Sequence, residues 1–333
     1  MHDMRIGVTA NATACLAGCI YALTSAVTAI AAEPYPAKPV RVVAPFAPGG
    51  GTDTVARVVA QQFAEQLGKS FIVDNRTGAS GMIAYEIVAK AAPDGHTLLL
   101  TNSAFASLPG LMKSLPYDPL KSFTPVSEIL RAPNVLVVHP STNVTTVKDF
   151  VAAARANPGK FNYGSGGAGS ALHLYGELFK IAAKVELTHV QYKGGGDNMA
   201  ALLSGQIHMN ITQYQANVIA LIKAGRLRAL AVTTDGKRSP ALPEVPSMSE
   251  AGLSGMAIYS WAGLLAPAGL PKNVMEKLHN EVTKMLAVPV VQERFAAQDA
   301  ELIGSRPEAF SQQLQSEIKR WAGVIRNAGI TIN

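Results

Sequence analysis

Two glycine-rich loops hold the residues whose types and spacing could do chemistry. The first, Pro45-Phe46-Ala47-Pro48-Gly49-Gly50-Gly51, follows the apolar run Val40-Arg41-Val42-Val43-Ala44 and leads through Thr52 and Asp53 into residues of helical spacing. The second, Gly164-Ser165-Gly166-Gly167-Ala168-Gly169-Ser170, follows Lys160-Phe161-Asn162-Tyr163 and opens a helical stretch at Ala171. A strand passing through glycines into a helix N-terminus builds an anion site. Glycine reaches positive φ and lets the backbone approach a ligand, while the first-turn N–H groups lack intrahelical partners and carry about half a positive charge together. Taken alone, the first stretch would serve phosphate, nucleotide or carboxylate equally. Neither loop has Lys or Arg at its centre, so an anion would be held by backbone N–H groups, hydroxyls and helix dipoles, which suits a carboxylate.

Other chemistries are less well served. Gly164, Gly166 and Gly169 match the GxGxxG spacing of a dinucleotide site, but the strand before them is short and polar, and Glu186 has no clear strand before it. Ser165 and Ser170 lack the G-x-S-x-G frame of a nucleophile elbow. His173 could hydrogen-bond Ser170 or a ligand, or serve as a structural donor. The histidines after the N-terminus, His96, His139, His173, His189, His208 and His279, are dispersed, and none pairs with another at ligand spacing. No metal, no cofactor and no catalytic residue is therefore expected. Asp53 would repel an anion directly, so it is expected to cap the first helix or to hold a water that bridges to the ligand. Asn102 and Ser103, just past Thr97-Leu98-Leu99-Leu100, stand where open α/β sheets bind ligands, or else they cap a helix.

The elements that must position these residues alternate short β-rich runs with helical stretches, the pattern of an α/β fold with mostly parallel strands. Val55, Val58, Val59, Phe63 and Leu67 form one helical stripe that Gly68 closes. Asp74-Asn75-Arg76-Thr77-Gly78-Ala79-Ser80-Gly81 is a second glycine-bearing turn before a helix from Met82 to Ala92. Residues 116–125 read as irregular and proline-punctuated, and the next strand is expected only at Val135 to Val138. Further strands are expected at Thr188 to Tyr192, Gln206 to Ile211, Leu227 to Thr233 and Tyr259 to Leu265. Two amphipathic helices, Lys272 to Leu286 and Pro307 to Ala328, end the chain.

At 333 residues, 48% hydrophobic and 16% charged, the chain has the length of about two folded domains. Arg5, the long apolar run from Ile6 to Ala32 and the small residues Ala29 and Ala31 before Glu33-Pro34 have the layout of a cleaved signal peptide over residues 1–32. Leu16-Ala17-Gly18-Cys19 imitates a lipobox, but the chain stays apolar after Cys19 where a lipid-anchored protein carries a polar tether, so lipid anchoring is not the preferred reading. Cys15 and Cys19 both lie in this segment, which leaves no disulfide or thiolate after cleavage. No later run reaches the roughly 18 apolar residues of a membrane span. The net charge of +6 is scattered without aromatic interleaving, which argues against nucleic-acid binding.

YPAKPVRVVAPFAPGGGTD, DNRTGASG, AKAAPDGHTLLL, FNYGSGGAGSALHL, VQYKGGG, LRALAVTT, EVPSMSEAGL and WAGLLAPAGLP together cover the mature chain in order. Through them it resembles the Bug-type periplasmic solute-binding receptors of the tripartite tricarboxylate transporter systems. The resemblance implies a two-domain periplasmic-binding-protein fold of the Venus-flytrap type II. Residues 33–138 and 236–333 would form one domain and residues 139–235 the other. It implies a monomer that traps a small di-, tri- or aromatic carboxylate in the cleft and delivers it to permease subunits in the inner membrane. The candidate ligand-binding residues are Phe46, Ala47, Gly49, Gly50, Asp53, Asn102, Ser103, Ser165, Gly166, Gly169, Ser170, His173, Gln191 and Gln213. A ligand-sensing subunit for a sensor kinase and an exported carboxylate-processing enzyme are the alternatives. The chain departs from the family pattern where Asp197 and Asn198 follow the VQYKGGG loop, and where Ala201 and His208 replace acids, positions expected near the second domain's side of the cleft. Mass spectrometry of the exported protein is expected to find a mature N-terminus at Ala32 or Glu33; a lipid-modified Cys19 would reverse that reading.

Overall fold

The computed structural model describes residues 35–193, 195–296 and 300–330; the expected signal peptide, with Cys15 and Cys19, lies outside the described residues. Strand β1 (Val40–Ala44) buries Val40, Val42, Val43 and Ala44 completely. A strand covered on both faces must read as a near-continuous apolar run, and this one does. It pairs in parallel with β2 (Phe71–Asn75) on one side and β3 (Thr97–Asn102) on the other. Helix α1 (Gly51–Leu67) follows β1, turns Val55, Val58, Val59 and Phe63 inward, and ends at Gly68 in the left-handed region, φ 66°. Helix α2 (Met82–Ala89) follows the turn Gly78 to Gly81.

Helix α3 (Ala104–Leu111), the helix that Asn102 or Ser103 could cap, contains Pro109 and packs its Gly110 so closely on the C-terminal helix that an added Cβ would lie 2.7 Å from Ile325. Strand β4 (Phe123–Val138) corrects the expectation of an irregular segment through Pro125. Its prolines are accommodated where the ladder is interrupted: the register shifts between Pro125 and Ser127, and Pro133 is the last residue paired with β9 (Tyr259–Pro267). Beyond Pro133 the same strand pairs with β7 (Met209–Gln213) and β8 (Arg228–Val232). The remaining elements are α4 (Val147–Ala156), β5 (Asn162–Ser165), α5 (Ala171–Ala183), β6 (Thr188–Gln191), α6 (Gly195–Leu203), α7 (Ala216–Lys223), α8 (Lys272–Leu286), α9 (Pro289–Ala296), β10 (Glu301–Leu302) and α10 (Pro307–Ala328).

The sheet runs β2-β1-β3-β9-β4-β7-β5-β6, with β8 and β10 also against β4. Among the described strands, parallel ladders are confined to β2-β1-β3 and to β6-β5-β7, while β9 and β4 are antiparallel to their neighbours. That corrects the mostly parallel expectation. Strand β9 re-enters the first part of the sheet between β3 and β4 after the chain has built the second part, and local periodicity carries no sign of that direction.

The two parts of the sheet meet at Asn134, fully buried in the middle of β4. Its backbone N–H donates to Thr233 Oγ1 (2.7 Å) and its carbonyl accepts from Thr233 N–H (2.8 Å). Its side-chain Nδ2 donates to the Ile258 carbonyl (3.1 Å), and its Oδ1 accepts from Ser260 Oγ (3.1 Å). Three passes of the chain are thus tied at one residue. Asn134→Ala is expected to lower unfolding free energy by about 1–3 kcal/mol in urea titration, the cost of stranding these buried partners.

Candidate functional site

The first glycine loop is bolted from beneath by Asp53. This carboxylate is almost wholly buried and accepts from Gly49 N–H (2.9 Å), Asn75 Nδ2 (2.9 Å) and Arg57 Nε (2.8 Å). Burial alone would raise its pKa, but the bonds from Arg57, Gly49 and Asn75 outweigh that and hold it below the usual carboxylate range. Asn75 Nδ2 also donates to the Phe46 carbonyl (2.9 Å), and Gly49 takes φ 85°, which a side chain would strain. Asp53 therefore shapes the loop from inside rather than capping the helix, whose N-cap is Gly50. Asn102 does both things expected of it. Its Oδ1 caps α3 at Ala104 N–H (3.0 Å) and its Nδ2 donates to Thr52 Oγ1 (2.8 Å), while the residue still lines the cavity below.

The second loop is supported by a buried polar stack. His173 Nδ1 accepts from Gly169 N–H (3.0 Å), and its ring lies on that of His189 at 3.9 Å between centroids with the planes 7° apart. Tyr163 lies against both rings, 5.0 Å from His189 and 6.4 Å from His173 between centroids, and donates its hydroxyl to Glu177 (2.6 Å), which also binds Lys180. Ser165 is fully buried; its Oγ accepts from Gly167 N–H (3.1 Å) and donates to the Gly167 carbonyl (3.0 Å). Ser165 Oγ also lies 2.7 Å from His189 Nε2, so its bonds are shared between that ring and Gly167 inside the loop. Burial, and then the neighbouring His173, pushes His189 down to about 4; burial also lowers His173, against the pull of Glu177.

Between the loops lies a cavity of about 390 Å³. Of the expected residues it takes Phe46, Asn102, Ser103, Gly166, Gly169, Ser170 and Gln213. A recess of about 130 Å³ shares Asn102, Ser103, Gln213 and Ser260 with it and runs to Gly51 and Thr52 at the start of α1. Ala47, Gly49, Gly50, Asp53, Ser165 and His173 line neither space. Gln191 faces a separate open groove beside Lys193 and Asp197. Ala201 lines that groove as well, and His208 packs on Phe161 and bonds Asn162, so these two departures from the family pattern lie away from the cavity, contrary to expectation.

Several lining residues were not expected. Ser80 was visible as part of a glycine-bearing turn; it sits at φ 57° in a run of four positive-φ residues, Gly78 to Gly81. Tyr175 lies one turn along α5 from Ala171, so helical spacing could have reached it. Ser260 and Trp321 arrive from distant parts of the chain and left no local signal. None of the residues lining the main cavity is Asp, Glu, Lys or Arg. Helices α1, α3 and α5 all start at its rim or its recess, and none has a side-chain bond at its N-cap, Gly50, Ser103 or Ser170. Ser170 Oγ is buried without a hydrogen-bond partner. The cavity thus offers positive helix ends and one unpaired hydroxyl but no cation. Among the described residues no cluster of His, Cys, Asp and Glu could hold a metal ion, and no helix is long and apolar enough to cross a membrane.

This fold and cavity define the class: an α/β binding protein of the periplasmic-binding-protein type. The chain belongs to the tripartite tricarboxylate transporter receptor (TctC) family, whose profile matches residues 55–330. It is 36% identical over 313 residues to Protein BugT of Bordetella pertussis, covering 93% of this chain and 95% of that one. It superposes on the periplasmic binding protein BugD with a TM-score of 0.73 at 34% identity, over 90% of this chain and 100% of that one. R. palustris Rpa4515, solved with adipate, gives 0.75 at 37% identity with the same coverage.

The histidine stack implies a pH dependence. The folded pair refuses protons that the unfolded chain accepts near pH 6.5, so its contribution to stability is complete above that pH and is lost as pH falls towards about 4. Urea unfolding at pH 7.5, 6 and 5 is expected to show stability declining across this window in the native protein and a shallower decline in His189→Gln.

Proposed function

We propose that this protein is a non-enzymatic receptor that closes over a small carboxylate in the 390 Å³ cavity and delivers it to the membrane subunits of a tripartite transporter. It acts in the periplasm after removal of residues 1–32, as a monomer, without metal or cofactor and without nucleic acid as partner. The observation that carries this reading is the convergence of three helix N-termini, those of α1 and α5 without a side-chain cap, and of the unpaired Ser170 hydroxyl on a cavity free of ionic side chains. Each such end is worth about 0.3–1 kcal/mol when exposed and up to about 2 when partly buried, enough together to select an anion without gripping it irreversibly. Membership of the receptor family and the adipate bound by Rpa4515 support the same reading. The lobes are residues 33–138 with 236–333, and residues 139–235, and closure bends the chain near Asn134 and Thr233. Ser165 is fully buried and lines neither the cavity nor its recess, which favours binding over hydrolysis at that serine.

Thermal-shift and calorimetric screening against di-, tri- and aromatic carboxylates is expected to raise the melting temperature by mass action, by about 2.7 kcal/mol of stability at a hundredfold excess over Kd. A flat response across the panel from folded protein would overturn the assignment, and turnover of a bound carboxylate would favour an enzyme. Replacing Gly50 and Gly51 together by valine should abolish binding with little loss of fold. A Cβ at Gly51 meets nothing within 4 Å, and one at Gly50 meets only the Ala47 carbonyl at 3.5 Å. Unchanged affinity in that variant would remove the first loop from the site.

A further inference from the structure

The cavity is most polar where α3 and α5 begin. On α3 the lining positions are Ala104, Ser107, Leu108 and Leu111, one face of the helix at i, i+3, i+4 and i+7, following Asn102 and Ser103 at its start. On α5 they are Ala171, Leu174 and Tyr175, following Ser170. Both faces therefore begin at a helix N-terminus with hydroxyl and amide groups and become apolar within one to two turns. From Ala104 to Leu111 the helix advances about 10 Å. Trp321, on α10, faces the same space as Leu108, Leu111 and Leu174.

The two charges behind the indole, Glu317 and Arg320, are already engaged. The indole N–H of Trp321 bonds Glu317, which also accepts from Trp261 Nε1 (2.8 Å). Arg320 lies over the Trp321 ring but spends its guanidinium on the carbonyls of Ala257 (2.6 Å) and Gly255 (2.9 Å). A second carboxylate at this end would lose its water to leucine and tryptophan side chains, gain no donor, and face Glu317 behind the indole. An ammonium group fares no better, because the cavity is lined by no Asp or Glu.

We propose that the solute carries a single carboxylate and an uncharged apolar body: an aromatic or cyclic aliphatic monocarboxylic acid, held by its carboxylate at the starts of α3 and α5 with its ring against Leu108, Leu111, Leu174 and Trp321. This rests on the reading of the cavity as a carboxylate site and narrows the class that reading leaves open.

Calorimetry of the purified protein with benzoate, cyclohexanecarboxylate, adipate, terephthalate, phenylalanine and benzyl alcohol tests it. Benzoate and cyclohexanecarboxylate are expected to bind at least tenfold more tightly than adipate, terephthalate or phenylalanine, and benzyl alcohol not measurably. Leu111→Arg, which puts a cation at the apolar end, should move the ratio of terephthalate to benzoate affinity at least tenfold towards terephthalate; the ranking on the unmodified protein stands if that variant fails to fold. Adipate or terephthalate binding as tightly as benzoate would overturn the monocarboxylate inference and leave the carboxylate receptor intact, and phenylalanine doing so would overturn the uncharged body. Silence towards every acid in the panel would overturn the carboxylate reading itself.

Discussion

The structure depends on the tie at Asn134. One amide side chain and one backbone peptide hold β4, the chain at Thr233 and the chain at Ile258 to Ser260 in fixed register. Thr233 Oγ1 completes the arrangement by donating to the Ile258 carbonyl. Buried polar groups are costly when unpaired and specific when paired, so this network fixes how the two parts of the sheet face each other. Ser260, which bonds Asn134, also lines the cavity, and the Tyr175 hydroxyl bonds Ser260, Ser103 and Asn134. The junction and the binding cavity thus share atoms. Any rotation of one part against the other must disturb the same hydrogen bonds that shape the site.

The two glycine loops reach the same end by different support. Asp53, itself an anion, is turned inward and saturated by Gly49, Asn75 and Arg57, which removes its repulsion from the ligand side and stiffens the backbone above it. On the other side a neutral imidazole does the equivalent work, accepting the Gly169 N–H from beneath. A charged imidazole there would lose that acceptor and would sit at the positive end of α5. In both loops the supporting side chains face away from the cavity, which leaves the ligand only helix ends, hydroxyls and amides.

Much of the fold was legible because its signals are local. Helices α8 and α10 show their amphipathic stripes over their whole lengths, and α5 begins where the glycine loop ends. The first half of β4 was hidden by its prolines, whose penalty tertiary contacts offset: β9 supplies the ladder on either side of the register shifts. The site was half legible. Phe46, Asn102, Ser103, Ser170 and Gln213 face the cavity as their positions at strand ends and helix starts suggest, whereas Asp53, Ser165 and His173 face inward, because each found a closer partner in its own loop or helix.

The sequence by itself determined the local chemistry: two strand–glycine–helix units without cations, an apolar pattern that makes each strand and helix, and hence a preference for an anion held by backbone. Only the tertiary structure decided that three helix starts converge on one space, that Asp53 and His173 serve as supports, and that the far wall is apolar. Those outcomes hang on β9 entering antiparallel between β3 and β4 and on α10 laying Trp321 beside Leu108 and Leu174. Contacts between residues more than a hundred positions apart are set by packing and buried hydrogen bonding, and no window of sequence contains both partners.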